Sequence, residues 1–326
     1  MRLCYDDTFP RSEDRLTAAL EKSVLVFDVG GSHISAAVCH GGGAYRLSSP
    51  ITASYPAEQS CDAFVSLLHA LGVKASAGNG SIGGAALAMP GPFDYVTGVS
   101  HMRHKLPYLF GVNLHQALAE RFGWQTCQVC SLNDAAAFLL GEIGAGAARS
   151  MTRAVGITLG TGVGSAFAVD GQVITEGPGV PPGGEIWNLP FEGGIVEDLV
   201  STRAIQGIYL KRTGKLTEVA AIAAAAVGDP EAAETFEDFG RSLGTAMRIL
   251  LPAFTPDGVV LGGGISRSAH LFLPEALRSL EGLDFQVQVA ERLDHAALVG
   301  AGVAWFTGSN GSPPHSDAAD RHAHAV

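Results

Sequence analysis

Two stretches of the chain are built to one plan, and that repeat limits the fold more than any other feature. Residues 24–42 (VLVFDVGGSHISAAVCHGG) and 154–173 (AVGITLGTGVGSAFAVDGQV) each run through an apolar strand, a glycine-rich corner with hydroxyls, a second apolar strand and a glycine turn. Helical patterns follow each hairpin, at 57–72 after the first and at 196–212 and 218–227 after the second. Further strands are expected at 81–89, 126–132 and 257–262. The arrangement predicts two α/β lobes, a small one over 23–132 and a larger one over 133–306, the last helix (about 295–306) packing back on the first lobe. Residues 1–22 read as an N-terminal arm. Residues 309–326 have no apolar period and read as a disordered tail, its histidines (His315, His322, His324) solvated.

With 326 residues the chain can bury a substantial core, and 42 glycines with 7% aromatic residues fit an α/β protein rich in turns. A net charge of −11 argues against nucleic acid or an anionic membrane as the main partner, because both select basic surfaces. A small molecule is expected instead. No signal-peptide pattern stands near the N-terminus, and no apolar run approaches the roughly 20 residues of a spanning helix, so a cytoplasmic protein is expected. The five cysteines (Cys4, Cys39, Cys61, Cys127, Cys130) are scattered and expected to be reduced. Cys127 and Cys130 have C-x-x-C spacing but fall in an expected strand, which predicts buried structural thiols and not a redox or metal pair.

Three glycine-rich corners carry the chemistry: Asp28–Ser32 (DVGGS), Leu159–Ser165 (LGTGVGS) and Leu261–Ser266 (LGGGIS). Glycine lets backbone amides approach an anion with no Cβ in the way, and hydroxyls add donors, so such corners suit phosphates. Any one of them could equally be a tight hairpin turn. None is a P-loop, which requires a lysine after the last glycine. Nor is GTGVGSAFAVDG a dinucleotide fingerprint, because it continues as a strand and offers no helix N-terminus to a pyrophosphate.

Strand, D-x-G-G-[ST], strand resembles the first phosphate motif of the actin-like ATPases and sugar kinases, and LGTGVGS resembles the second. Together with Asn133-Asp134 in SLNDAAAFLLGE, MPGPFD at 89–94 and PDGVVLGGGIS at 256–266, these motifs resemble the ROK family of sugar kinases and related repressors over roughly 24–306. The resemblance implies two lobes of actin-like (ribonuclease H-like) fold, mixed β-sheets flanked by helices, with the active-site cleft between them. It implies glucokinase-like phosphorylation of a hexose or hexose derivative, with ATP and Mg²⁺ as cofactors. Asp28 would hold Mg²⁺ through water, while Gly30, Gly31 and Ser32 face the phosphates and Gly160, Thr161 and Gly162 clasp them from the other lobe. Gly263 and Gly264 would belong to the adenosine-side loop. Asp134 would be the general base, although the residues alone also allow Asn-Asp simply to cap the helix that follows. Members of the family are often dimers, and the residues neither support nor oppose a homodimer here.

The sugar-contacting residues implied are Asn133, Glu185, Glu197 and, by position, Asn188 and Lys105. The loop PPGGEIWNLPFEGGIVEDLVST (181–202) departs from the family pattern: Trp187-Asn188 replaces Gly-His, and no cysteine lies between 131 and 326, so no structural zinc site is expected. Trp187, Leu189 and Phe191 are expected to hold the loop by apolar packing, or Trp187 to stack on a sugar face. Lys105 stands near the position of a sugar-reading Asn, and His33 where Lys is common. His101, Arg103, His104 and Lys105 form a local cationic cluster, either a solvated loop or a reader of an anionic or amino-modified substrate. The competing function is a non-catalytic or regulatory sugar-binding protein of the same fold. The retained Asp28, glycine corners and Asp134 weigh against it.

Overall fold

The computed structural model describes residues 23–308, so the expected arm and tail lie outside the described residues. Strands β1 (Ser23–Val29), β2 (His33–His40) and β3 (Arg46–Ser54) form an antiparallel meander. Helix α1 (Cys61–Ser76) leads to β4 (Ala85–Met89), which returns parallel to β1. A two-stranded ribbon of β5 (Phe93–Asp94) and β6 (Val99–Ser100) and helix α2 (Leu114–Phe122) precede β7 (Val129–Asn133), parallel to β4. The sheet order is β3-β2-β1-β4-β7.

After helix α3 (Asp134–Ala145) the plan repeats. Strands β8 (Arg153–Leu159), β9 (Val163–Val169) and β10 (Gln172–Ile174) form a second meander. The ribbon β11 (Pro190–Phe191) with β12 (Gly194–Ile195) then leads into helices α4 (Val196–Leu199), α5 (Thr202–Thr213), α6 (Val219–Ala225) and α7 (Pro230–Leu250). Strand β13 (Gly258–Gly262) lies parallel to β8, helix α8 (Ala269–Ser279) follows, β14 (Gln286–Val289) pairs with β13, and α9 (Ala296–Thr307) closes the described chain. The order β10-β9-β8-β13-β14 reproduces the first sheet strand for strand.

Local chemistry sets the element limits. Ser60 caps α1 by accepting from the Ala63 amide at 3.1 Å, which places that helix at 61–76 and not at the expected 57–72. The helix expected at 196–212 is broken, because Val200 and Ser201 are non-helical (φ −133° and −141°). The longest helix, α7, has Pro230 in its first turn and Asp229 as cap, and it was not singled out from the sequence. Residues 126–128 form a 3₁₀ turn instead of strand, so Cys127 is exposed, contrary to expectation. Cys130 enters β7, where burial pushes its thiol up to about 12. The described cysteines are free thiols.

Strand β4 is buried at all five residues, as expected of a central strand covered on both faces. The edge strand β3 contains Pro50, tolerated where no further neighbour needs its amide. Helices α1 and α2 cover one face of the first sheet through Phe64, Leu68 and Leu118, and α7 and α8 cover one face of the second through Phe236, Phe239 and Phe272. Between the sheets lie α3 and α9, whose core includes Val24, Val26 and Ala37 of the first sheet and Ala166, Ala168 and Val260 of the second. No helix among the described residues is long and apolar enough to cross a membrane.

The α3–α9 crossing is backbone-close. A Cβ at Gly300 would stand 1.7 Å from the Ala137 carbonyl oxygen, and one at Gly141 would stand 1.9 Å from that of Ala296. Gly300→Ala must spread the helices and is expected to destabilise the protein by about 3 kcal/mol or more. Denaturant unfolding checks this, and a change below about 0.5 kcal/mol would contradict the crossing as described.

Candidate functional site

The three glycine corners lie at the C-terminal ends of β1, β8 and β13, and Asn133-Asp134 lies at the end of β7. In such sheets this is the side where ligands bind. Asp28 stands one residue before the end of β1, and Gly30, Gly31 and Ser32 make the exposed turn into β2. Tyr55 donates its hydroxyl to the Gly30 carbonyl and its amide to that of Ser32 (3.0 Å), holding the turn from β3's side. A Cβ at Gly31 would meet nothing within 4 Å, so the corner faces open space. In the second corner Gly160 donates to the Gly162 carbonyl at 3.0 Å, and its own carbonyl accepts from the Thr202 amide at 2.8 Å. Gly263 has φ +81°, and a Cβ there would sit 2.4 Å from the Leu159 carbonyl oxygen. Only glycine allows the third corner to pack on the root of the second.

The Asn133 side chain caps α3, its Oδ1 accepting from the amides of Ala135 (2.9 Å) and Ala136 (3.2 Å). The capping alternative raised for the Asn-Asp pair is therefore met chiefly by Asn133, while Asp134, the first helical residue, also accepts from the Ala135 amide through Oδ1 at 2.9 Å. Burial raises the Asp134 carboxyl above the usual range, the nearby Lys105 charge pulls it back down, and Glu185 pushes it up. The Asp28 carboxyl is pushed up to about 6, first by burial and then by Asp134. Two carboxylates in each other's field, largely out of water, are a donor set suited to a hard divalent cation with oxygen ligands. Among the described residues no group of three or more His, Cys, Asp or Glu stands together, so such a cation would draw most of its ligands from phosphate and water, as Mg²⁺ usually does.

Beside these carboxylates is a cavity of about 350 Å³, lined in part by Tyr95, His101, Asn133, Ser165, Thr175 and Glu185. This is at the small end of the range for ligand sites. Ser165 ties its walls together, donating to the Gly184 carbonyl (2.7 Å) and accepting from the Ile186 amide (3.0 Å). Tyr95 was missed from the sequence: its hydroxyl donates to the Met89 carbonyl (3.1 Å) and accepts from Asn133 Nδ2 (3.3 Å). An aromatic directly after PGPFD was the available signal. Behind it, His115 meets Ser131 Oγ at 2.8 Å, and burial pulls its imidazole down to about 4, so it is neutral at neutral pH.

Of the residues named for the sugar, Asn133 and Glu185 line the cavity, and Asn188, Glu197 and Lys105 do not. Asn188 is exposed. Lys105 is also exposed, but its charge reaches Asp134. Its neighbour Arg103 instead stacks on Phe110 at 3.9 Å. Trp187 does not pack the loop: it is 38% exposed, and its Nε1 donates to Glu185 Oε2 at 2.9 Å. Ile186 and Phe191 supply the burial. Glu197 turns to the second glycine corner, where Oε2 accepts from the Val163 amide (3.1 Å) and Oε1 from Arg203 Nη2 (3.2 Å).

Comparisons with known proteins place the chain among sugar kinases by fold and sequence. The chain is 28% identical over 211 residues to a glucokinase of Thermotoga maritima, a match covering 57% of this chain and 65% of that protein. It is 27% identical over 275 residues to an N-acetyl-D-glucosamine kinase of Aliivibrio salmonicida, covering 77% and 88%. The crystal structure of a ROK hexokinase from Thermus thermophilus superposes with a TM-score of 0.72 at 26% identity, covering 86% of this chain and 97% of that one. The chain thus spans just under two thirds of the glucokinase's length and most of the hexokinase's. The model of the ROK family matches residues 24–307, from β1 through α9, and the chain belongs to that family.

Proposed function

We propose that this protein transfers the terminal phosphoryl group of Mg·ATP to a hydroxyl of a hexose or hexose derivative. The observation that carries the reading is the pair Asp28 and Asp134, each pushed up by burial, with Asn133 and Glu185 lining a cavity next to Asp134. Asp134 takes the proton of the attacking hydroxyl as its oxygen bonds to phosphorus, and the bond to the ADP oxygen breaks. Asp28 would hold Mg²⁺, which would supply positive charge to the phosphate oxygens. Gly31, Ser32, Thr161 and Gly162 offer donors to the phosphates, while Gly30 and Gly160 close the turns by donating to the His33 and Gly162 carbonyls, and Gly263 and Gly264 form the floor on the nucleoside side. The lobes, divided near residue 132, close over the sugar and exclude water, a competing acceptor. The names of the kinase relatives support this class of chemistry.

A second reading, sugar binding without turnover, is favoured by one observation: Glu185 and Glu197 are both already engaged within the protein. ADP release with Mg·ATP, measured against glucose, mannose, fructose, N-acetylglucosamine, N-acetylmannosamine, glucosamine and an acidic sugar, separates the two. Sugar-dependent ADP release is expected. Thermal stabilisation by a sugar with no ADP release from any would replace the kinase reading with the binding one.

A further inference from the structure

Trp187 is a large aromatic residue tethered at both ends and left open to solvent. Its carbonyl accepts from the Glu197 amide at 3.0 Å, its indole Nε1 donates to Glu185 Oε2 at 2.9 Å, and 38% of its surface stays exposed. Burial does not account for the ring, because Ile186 and Phe191 take the buried positions of its loop. The other two tryptophans are packed: Trp124 stacks on Phe122 with ring centres 4.4 Å apart, and Trp305 lies against the core between the sheets.

The tether to Glu185 sets the indole at the mouth of the sugar cavity. Of the residues lining that cavity, Phe93, Leu132 and Ser165 are buried and belong to its floor, while His101, Gly183 and Glu185 are exposed and belong to its rim. Glu185 Oε1 has no partner among the described residues, so one oxygen of this carboxylate is open to a ligand in the cavity while the other holds the indole. The ring therefore begins one carboxylate away from the sugar that Glu185 would hold, which is the reach of a group joined to that sugar through an oxygen. Resting on the sugar site of the reading above, we propose that Trp187 is a stacking platform for a second ring of the acceptor, and that the substrate class is a hexose glycoside, a disaccharide or an aryl glycoside, in preference to the free hexose. The indole offers a flat apolar face to the C–H face of a pyranose or to an aryl ring, and its two tethers leave little ordering to be lost on binding. The phosphorylated ring still fills the cavity with its hydroxyl towards Asp134. No bond of the second ring forms or breaks, so Trp187 acts on acceptor binding and not on the phosphoryl step.

The test is calorimetric binding, without nucleotide, of one-ring and two-ring probes to the wild type, Trp187→Phe and Trp187→Leu. The one-ring probes are glucose and the methyl glycosides of glucose and N-acetylglucosamine in both anomeric forms, and the two-ring probes are the matching phenyl glycosides with cellobiose and maltose. At least one two-ring probe is expected to bind the wild type about ten-fold more tightly than its one-ring counterpart and to shift the tryptophan emission. Trp187→Phe keeps a ring and should retain most of that preference, whereas in Trp187→Leu it should fall to about two-fold or less. Comparing two probes within each variant cancels any general change in sugar affinity caused by loss of the indole's hold on Glu185. ADP release with Mg·ATP is then measured for the same probes. No two-ring preference in the wild type, or an undiminished one in Trp187→Leu, would overturn the platform while leaving sugar-dependent ADP release, and with it the kinase reading, intact. Equal loss in Trp187→Phe and Trp187→Leu would assign the effect to the hydrogen bond on Glu185 and would also overturn the platform. A two-ring preference with no ADP release from any probe would overturn the kinase reading and leave the platform, and failure of the wild type to bind every probe would overturn both.

Discussion

Asp134→Asn is expected to lower kcat by about 10²–10⁴-fold while leaving ADP affinity and the fold in place. The helix keeps its cap in this variant, because the Asn133 side chain takes the first-turn amides and an asparagine Oδ1 at 134 can still accept from Ala135 as the aspartate does. The substitution is nearly isosteric and removes the proton acceptor together with its charge. A second consequence checks the geometry: with one of the paired charges gone, Asp28 should titrate lower than the value near 6 that it has beside Asp134. Steady-state kinetics give the first result, and carboxyl titration by NMR gives the second. Turnover within about ten-fold of wild type would remove Asp134 from the role of base.

Asp28→Asn is expected to abolish Mg²⁺-dependent turnover and at the same time to raise the melting temperature of the metal-free protein. The Asp28 carboxyl titrates near 6 in the folded chain against 3.8 ordinarily, so the unfolded chain gives up this proton first as pH rises. Stability from this group is complete below about pH 3.8 and is lost as pH climbs through 6. Above that, the ionised carboxylate costs the folded state roughly 1–3 kcal/mol. Asparagine keeps the shape without the charge. In a chelator, the variant's advantage over wild type should therefore be small near pH 4, grow towards pH 6 and level off at several degrees by pH 7.5. Scanning fluorimetry across that range checks it, and a variant no more stable than wild type at neutral pH would show that Asp28 is not a strained ligand. Added Mg·ATP should narrow the gap, since the metal relieves the wild-type carboxylate.

Much of this site was readable from residues in sequence. Glycine corners and apolar strands are local patterns, and a hairpin needs only its own turn and alternation, so the paired hairpins at 24–42 and 154–173 appear in the structure as β1–β2 and β8–β9. Asn133, Asp134 and Asp28 were picked out by the resemblance of their motifs, and the structure sets each of them near a strand end or at a helix start. Element limits were less legible. The cap at Ser60 moved α1, and the extended residues Val200 and Ser201 split one expected helix into two.

The tertiary structure decided what depends on distant partners. Trp187 was expected to pack the loop or to stack on a sugar face; its indole holds Glu185, and Ile186 and Phe191 take the buried positions of that loop. Tyr95 acquires its role only when β5's turn brings its hydroxyl to Asn133, 38 residues along the chain. Glu197, named as a sugar contact, was carried to the second glycine corner by Val163 and Arg203. The amino-acid sequence by itself determined the two hairpin-led sheets and the chemical groups at their strand ends, since strand period, turn glycines and helix caps act over a few residues. Which of those groups share one electrostatic field was decided by the folded chain alone. Burial pushes both Asp28 and Asp134 upward, and the Asp134 charge that adds to the shift of Asp28 acts across 106 positions of sequence, between residues that are neighbours only in space.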